Sequence, residues 1–237
     1  ERPKDWGEMI EYGKIFRENM DAHYTAFPWG GLSFPQSFPT LTWSNGGQLI
    51  SDDKSEWVFN SEEAVDAFDF WINHITKHDL TPDDVVEWDT SAYDNAFADR
   101  IATGLRFPGV INKATKREGI SREDFELWNV PSGRKSGAEP VTYTGQESIG
   151  IHPWAKNKDA CAKWIDYLLR PEVQAEYTKP IGYLPAVLET TEKFDPFKSD
   201  HIWKQYVELT QSSARATPLV QGYRRTRSLL PSWLTDA

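Results

Sequence analysis

In this 237-residue chain the polar groups best placed for chemistry sit in the loop Thr144-Gly145-Gln146-Glu147-Ser148. A glycine lets a ligand approach the backbone closely. Amide, carboxylate and hydroxyl groups beside it can satisfy a rim of hydroxyls. Covalent chemistry fits the same residues badly. Gly145-Gln-Glu-Ser148-Ile-Gly150 is one residue too long for a nucleophile elbow, and no nearby histidine is marked as its base. Glu147 and another acid could be drawn as a glycosidase pair, but with 36 Asp and Glu in the chain nothing selects the second member. His74 and His78 have the i, i+4 spacing by which helical imidazoles share a metal. Their motif, His-Ile-Thr-Lys-His, lacks the glutamate of a metalloprotease, and two histidines at a helix C-terminus are favourable without any metal. There is no Gly-x-Gly-x-x-Gly, Walker loop, Cys-x-x-Cys or His-Glu-x-x-His. The expectation is a protein that is not an enzyme, with no cofactor and no metal.

Composition narrows the partners. A net charge of −10 argues against nucleic acid and against an anionic membrane surface. No run reaches the roughly 18 apolar residues of a membrane span. The single cysteine, Cys161, falls on the apolar side of a helix, where burial would leave it inert. Tryptophan (11) and tyrosine (9) are generous. Most aromatics fill cores, but the surplus leaves room for rings that stack on a ligand's C–H faces.

The elements that must position these groups are legible from spacing. Asp5 and Glu8 predict a capped helix start, with Trp6, Ile10, Gly13 and Phe16 or Arg17 on one face. The segments 27–31 and 38–47 are rich in Pro, Gly and aromatics, and their Gly-Gly steps, Gly30-Gly31 and Gly46-Gly47, read as turns. Gln48–Ile50 and Trp57–Phe59 read as short strands around the acidic tip Asp52-Asp53. Asn60 to Lys77 is a helix capped by Asn60 or Ser61, its stripe being Ala64, Phe68, Trp71, Ile72 and Ile75. Ser91–Arg100 is a helix with Tyr93, Phe97 and Ile101 on one side, and Glu126–Val130 is a strand. Ser148–His152 reads as a short buried strand. It leads into a helix from Lys158 to Leu169 capped by Asn157, with Cys161, Trp164, Ile165 and Leu168 as its apolar face. Pro171 stops that helix and opens the next, and His201–Gln211 is a further helix, with Ile202, Tyr206 and Leu209 on one face.

Read together, the stretch 143–187 resembles extracellular solute-binding proteins of ABC importers, which include maltose- and trehalose-binding receptors. The counterparts are Gly145, Ser148–Ile151, Lys156-Asn157 with Asp159-Ala160, Trp164–Leu169, Pro171-Glu172 with Gln174, and Gly182 to Ala186. The start at Pro3–Glu8, the Gly46-Gly47 element and Ala96–Gly109 resemble further segments of that family. The segment 96–110 departs from the pattern, with Asp99-Arg100 in place of a common Gly-Lys pair and Val110 near a frequent tryptophan.

The resemblance implies an α/β, periplasmic-binding-protein-like fold of two lobes (type II, maltose-binding-protein-like), mostly the C-terminal lobe. Residues 1–135 and 191–237 would form that lobe, and 136–190 would belong to the N-terminal one. The native chain is expected to extend N-terminally, supplying the rest of that lobe. The implied function is capture of a saccharide in a cleft between lobes and delivery to a membrane permease. Localisation would be periplasmic or extracellular, with membrane association only through the permease or a lipid anchor. Trp29, Trp43, Phe107, Tyr183 and Tyr223 would supply stacking rings. Asn45, Gly145, Gln146, Glu147 and Arg224 would supply polar contacts. Two alternatives are a polysaccharide-degrading enzyme and a ligand-sensing protein-interaction domain.

Overall fold

The computed structural model describes residues 1–29, 34–97, 99–145, 147–223, 225–226 and 228–229. The chain forms two compact units: residues 1–106, 128–144 and 213–237 in the first, 107–127 and 145–212 in the second. These boundaries group 107–127 and 191–212 with 145–190, whereas the resemblance had separated them.

In the first unit, α1 (Trp6–Asn19) starts as its cap predicts: the Asp5 carboxylate accepts from the Glu8 amide at 2.9 Å. Its buried residues are Trp6, Met9 and Gly13, so the face turns slightly from the predicted one, with Met9 inward and Ile10 at the margin. Gly13 has no room for a side chain, since a Cβ there would lie 2.8 Å from Leu80. Strand β1 (His23–Ala26) pairs in parallel with β2 (Ile101–Gly104), and among the described residues the crossover that parallel pairing requires contains three α-helices and a 3-10 turn. The α-helices are α2 (Phe34–Ser44), α3 (Glu62–Thr76) and α4 (Thr90–Ala96).

Helix α2 carries no helix signal in its Pro- and aromatic-rich sequence. Pro39 lies inside it, yet Phe38, Leu41 and Trp43 are buried, and the core they join outweighs the lost backbone hydrogen bond. Its small polar residues are buried too: Ser37 Oγ donates to the Pro28 carbonyl (3.0 Å) and Ser44 Oγ to that of Leu41 (3.0 Å), whereas Thr42 Oγ1 has no partner among the described residues. Gly46 then takes a φ of 83°, the turn that the glycine pair predicts. The expected hairpin contracts to one bridge, Ile50 with Trp57, around a tip where the Asp53 carboxylate accepts from Ser51 Oγ and Ser55.

Ser61 caps α3, whose buried residues are Ala64, Ala67, Phe70, Trp71 and His74. Phe68, Ile72 and Ile75 of the predicted stripe are only partly buried. Trp6 stacks on Phe70 at 3.9 Å and 9°, which draws the helix face round. Helix α4 ends at Ala96, short of Arg100, because Phe97 turns extended to feed β2; Tyr93, Phe97 and Ile101 are all buried. The predicted strand 126–130 is a single bridge between Val130 and Val141. Beyond it β3 (Thr142–Thr144) pairs in parallel with β4 (Ala214–Ala216).

In the second unit, α5 (Gly109–Ala114), α6 (Lys158–Leu168), α7 (Pro171–Ile181), α8 (Leu188–Lys193) and most of α9 (His201–Ser213) surround a small core of Ala175, Phe197 and Trp203. Asn157 caps α6 as predicted, its Oδ1 accepting from the Ala160 amide at 3.0 Å. The helix runs as predicted and Cys161, Ile165 and Leu168 are its partly buried residues, but the face is not fully covered. No residue of α6 is buried, Trp164 is 57% exposed, and Cys161 is partly accessible. Ser148–His152 forms no strand, and Ile149 is 61% exposed. A strand needs a neighbour for its backbone groups, and among the described residues none pairs with this segment. Pro171 opens α7 at its first turn, as expected. In α9 the fully buried residues are Ile202 and Trp203.

Candidate functional site

Within the first unit each predicted ring lies against a different aromatic. Trp29 is partly buried, 4.6 Å from the ring of Trp71 and 6.2 Å from that of Phe68. Trp43 is 6% exposed and stacks nearly parallel on Tyr143 (6.4 Å, 16°), so most of its surface is spent on the core. Tyr223 packs 6.0 Å from Trp57. Asn45 is fully buried and its amide is committed to the protein. Nδ2 donates to the Glu63 carbonyl and the Asp66 carboxylate (both 3.0 Å), and Oδ1 accepts from the Arg134 amide (2.8 Å) and the Lys135 amide (3.3 Å). Gly133 makes this possible, since a Cβ there would lie 2.1 Å from Asn45 Oδ1.

The histidine pair divides. His74 is fully buried between Phe27 and Phe70, with Nδ1 2.7 Å from the Phe70 carbonyl. That bond makes Nδ1 the donor and leaves Nε2 a bare acceptor, buried and without a partner. Burial pulls the His74 pKa down to about 4, against the smaller upward effect of the Phe70 carbonyl. Among the described residues no group of three His, Cys, Asp or Glu is placed to hold a metal.

The second unit brings two predicted residues together. Phe107 and Tyr183 meet edge to face, with ring centroids 5.2 Å apart at 72°. Tyr183 is set by the end of α7. Gly182 takes φ 78°, and the Tyr183 amide returns to the Thr178 carbonyl at 3.1 Å, closing the helix in a left-handed turn. Gln174, 1% exposed, secures the turn that follows. Its Oε1 accepts from the Ala186 amide (2.8 Å), while Nε2 donates to the Leu168 carbonyl (2.7 Å). Gly145 and Glu147 are exposed. Gln146 and Arg224 lie outside the described residues.

Two open grooves occur in this unit. One, about 560 Å³, runs between α8 and α9 and mixes Leu188, Phe197 and Val207 with Glu192, Lys198, Lys204 and Glu208. The other, about 350 Å³, lies between Ile149–Ile151 and the Cys161, Trp164 and Ile165 side of α6. The latter is apolar and offers none of the hydroxyl-matching groups first sought in the neighbouring loop. Tyr143, the partner of Trp43, carries no sign of a ring partner in the sequence, and Trp71 reads there as helix core.

The sequence profile of the bacterial extracellular solute-binding proteins matches residues 1–210. The chain belongs to that family. Its members work outside the cytoplasm, in the periplasm or at the cell surface. Solved structures agree on the fold. Maltose-bound MalE3 of T. maritima superposes with a TM-score of 0.87 at 20% identity, over 99% of this chain and 60% of its own. The GacH receptor of Streptomyces glaucescens, solved unliganded and with acarbose, gives 0.85 at 16% identity, over 100% and 59%. A solute-binding protein of Thermotoga lettingae bound to α-D-tagatose gives 0.80 at 19%, over 99% and 59%. The fold is therefore the α/β one of the two-lobe, maltose-binding-protein-like receptors, as the resemblance implied. The chain spans about 60% of the length of these relatives. Among curated protein sequences none matches.

Proposed function

We propose that this chain is part of the substrate-binding receptor of an ABC importer, that its ligand is a saccharide, and that it delivers the ligand to a membrane permease without making or breaking a bond. Family membership carries the reading. The edge-to-face pair Phe107–Tyr183 supports it, because partly buried rings on rigid turns suit the apolar face of a sugar. Trp29 and Tyr223 are the corresponding rings of the first unit, and Gly145, Gln146, Glu147 and Arg224 the polar contacts. Asn45 and Trp43 act mainly by holding their unit together, since their bonding and stacking capacity is taken up inside it. Relatives bound to maltose, tagatose and laminaribiose favour a neutral mono- or oligosaccharide.

A thermal-shift screen of the full-length protein against saccharides, polyols, amino acids and phosphates tests this. A saccharide at a hundredfold excess over its dissociation constant stabilises by about 2.7 kcal/mol. The reading predicts such a shift and return of the sugar chemically unchanged. No shift with any saccharide would contradict it, and cleavage of a labelled oligosaccharide would favour an enzyme.

A further inference from the structure

Behind the Phe107–Tyr183 pair, two helix ends meet backbone to backbone. A Cβ on Gly182 would lie 2.2 Å from Gly109 Cα, and one on Gly109 would lie 2.6 Å from the Ile181 carbonyl oxygen. The start of α5 and the end of α7 are thus in direct contact, with no side chain between them to set their angle. A polar relay does so from one side. Asn112, in α5, donates through Nδ2 to the Lys179 carbonyl (3.3 Å) and lies 3.5 Å from that of Pro180. These belong to the last turn of α7, where the Lys179 carbonyl also accepts from the Gly182 amide at 3.2 Å. Asn112 Oδ1 in turn accepts from Arg122 Nη1 at 3.0 Å. Arg122 Nε donates to Asp200 Oδ2 at 2.5 Å, and Asp200 Oδ1 accepts from the Trp203 amide at the start of α9. The guanidinium lies over the Trp203 ring at 6.0 Å. The forked, planar guanidinium holds Asp200 and Asn112 together through Nε and Nη1.

We propose that Asn112, oriented by Arg122, is a positioning residue for the Phe107–Tyr183 pair. It fixes the approach of α5 to α7, and hence the angle at which the two rings present themselves. Phe107 lies two residues before the start of α5 and Tyr183 follows the glycine that ends α7, so a small rotation between the helices is transmitted directly to the rings. The role of the pair as a saccharide platform rests on the reading above; the relay itself is a statement about geometry.

The test places 3-fluorotyrosine at position 183 of the full-length protein and follows its ¹⁹F resonance. Phe107→Leu removes the neighbouring ring current and defines the signature of a separated pair. Asn112→Ala is expected to move the resonance toward that position. Asn112→Asp, which keeps the acceptor for Arg122 but loses the donor to α7, should do the same. Arg122→Lys covers the case in which an Asn112 variant does not fold. Gln205→Ala, which removes a different bond in the same unit (Leu127 amide to Gln205 Oε1, 2.9 Å), should leave the resonance in place. Asn112 and Arg122 variants that keep the wild-type resonance would overturn the proposal, as would a resonance indifferent to Phe107→Leu. The sugar reading fails separately. Should the relay variants move the resonance while maltose, tagatose and laminaribiose neither shift it nor stabilise the wild type, the pair is held as described but is no sugar platform.

Discussion

Helices α3 and α6 are written in the same grammar and end in opposite circumstances. Each opens on a side-chain cap, Ser61 and Asn157 accepting from the amides of Ala64 and Ala160. Each carries acids in its first turn and an apolar stripe at helical spacing. Yet α3 buries five residues and α6 buries none. The difference lies in what stands opposite. Trp6 and Phe27 pack on α3, whereas among the described residues nothing covers Trp164 and Ile165 comparably. Amphipathic spacing therefore reports a face that favours cover, and only tertiary contacts report whether the cover is present.

Substitutions sharpen that contrast, beginning with the largest effect. Trp71→Ala in α3 should cost about 3–5 kcal/mol of unfolding free energy. Trp164→Ala in α6 should fall within about 0.5 kcal/mol, as surface changes do. Denaturant titration of both variants measures this, and similar costs would erase the distinction.

His74 gives α3 a pH dependence that α6 lacks. Its folded pKa, about 4, lies below the ordinary histidine value of 6.5. Between those values the unfolded chain binds the extra proton, so stability is fully present above about pH 6.5 and falls as pH drops toward 4. The loss is on the order of 3 kcal/mol. Stability curves of wild type and His74→Phe over that window should differ in slope, the variant being flatter. Identical slopes would remove His74 from the account.

Asn45→Ala leaves the Arg134 amide and the Glu63 carbonyl without their partner and should cost about 2 kcal/mol, read by thermal unfolding. The smallest effect belongs to the caps. Ser61→Ala should lower global stability by about 1 kcal/mol, while Asn157→Ala should act chiefly on amide exchange within α6. A global loss from Asn157→Ala as large as that from Ser61→Ala would show that α6 is part of the cooperative core.

The sequence made the punctuation of the fold readable. Asp5, Ser61, Asn157, Pro171 and Gly46 act locally, so their roles survive any tertiary arrangement. Features that depend on a partner were not readable. Pro39 concealed α2, because the burial of Phe38, Leu41 and Trp43 that overrides it is a tertiary fact. Ser148–His152 has the alternation of a strand but, among the described residues, no neighbour to pair with. At the candidate site, Phe107 and Tyr183 were named from separate segments, and their contact emerges only when α5 meets α7. Asn112 and Arg122 carried no signal, since one lies on a short helix, the other opens a single 3-10 turn (Arg122–Asp124), and their bonds span distant segments. Asn45 was named as a polar contact from the resemblance, and that its amide is taken up by the Glu63, Asp66 and Arg134 groups is a tertiary fact.

Calorimetric titration of the full-length protein with maltose, tagatose and laminaribiose, in wild type and in Phe107→Ala and Tyr183→Ala, tests the central claim most directly. The account predicts saturable binding of at least one of these sugars by the wild type, and a dissociation constant raised about tenfold or more by either substitution, equivalent to about 1.4 kcal/mol. Wild-type affinity retained in both variants, with their folding intact, would contradict it.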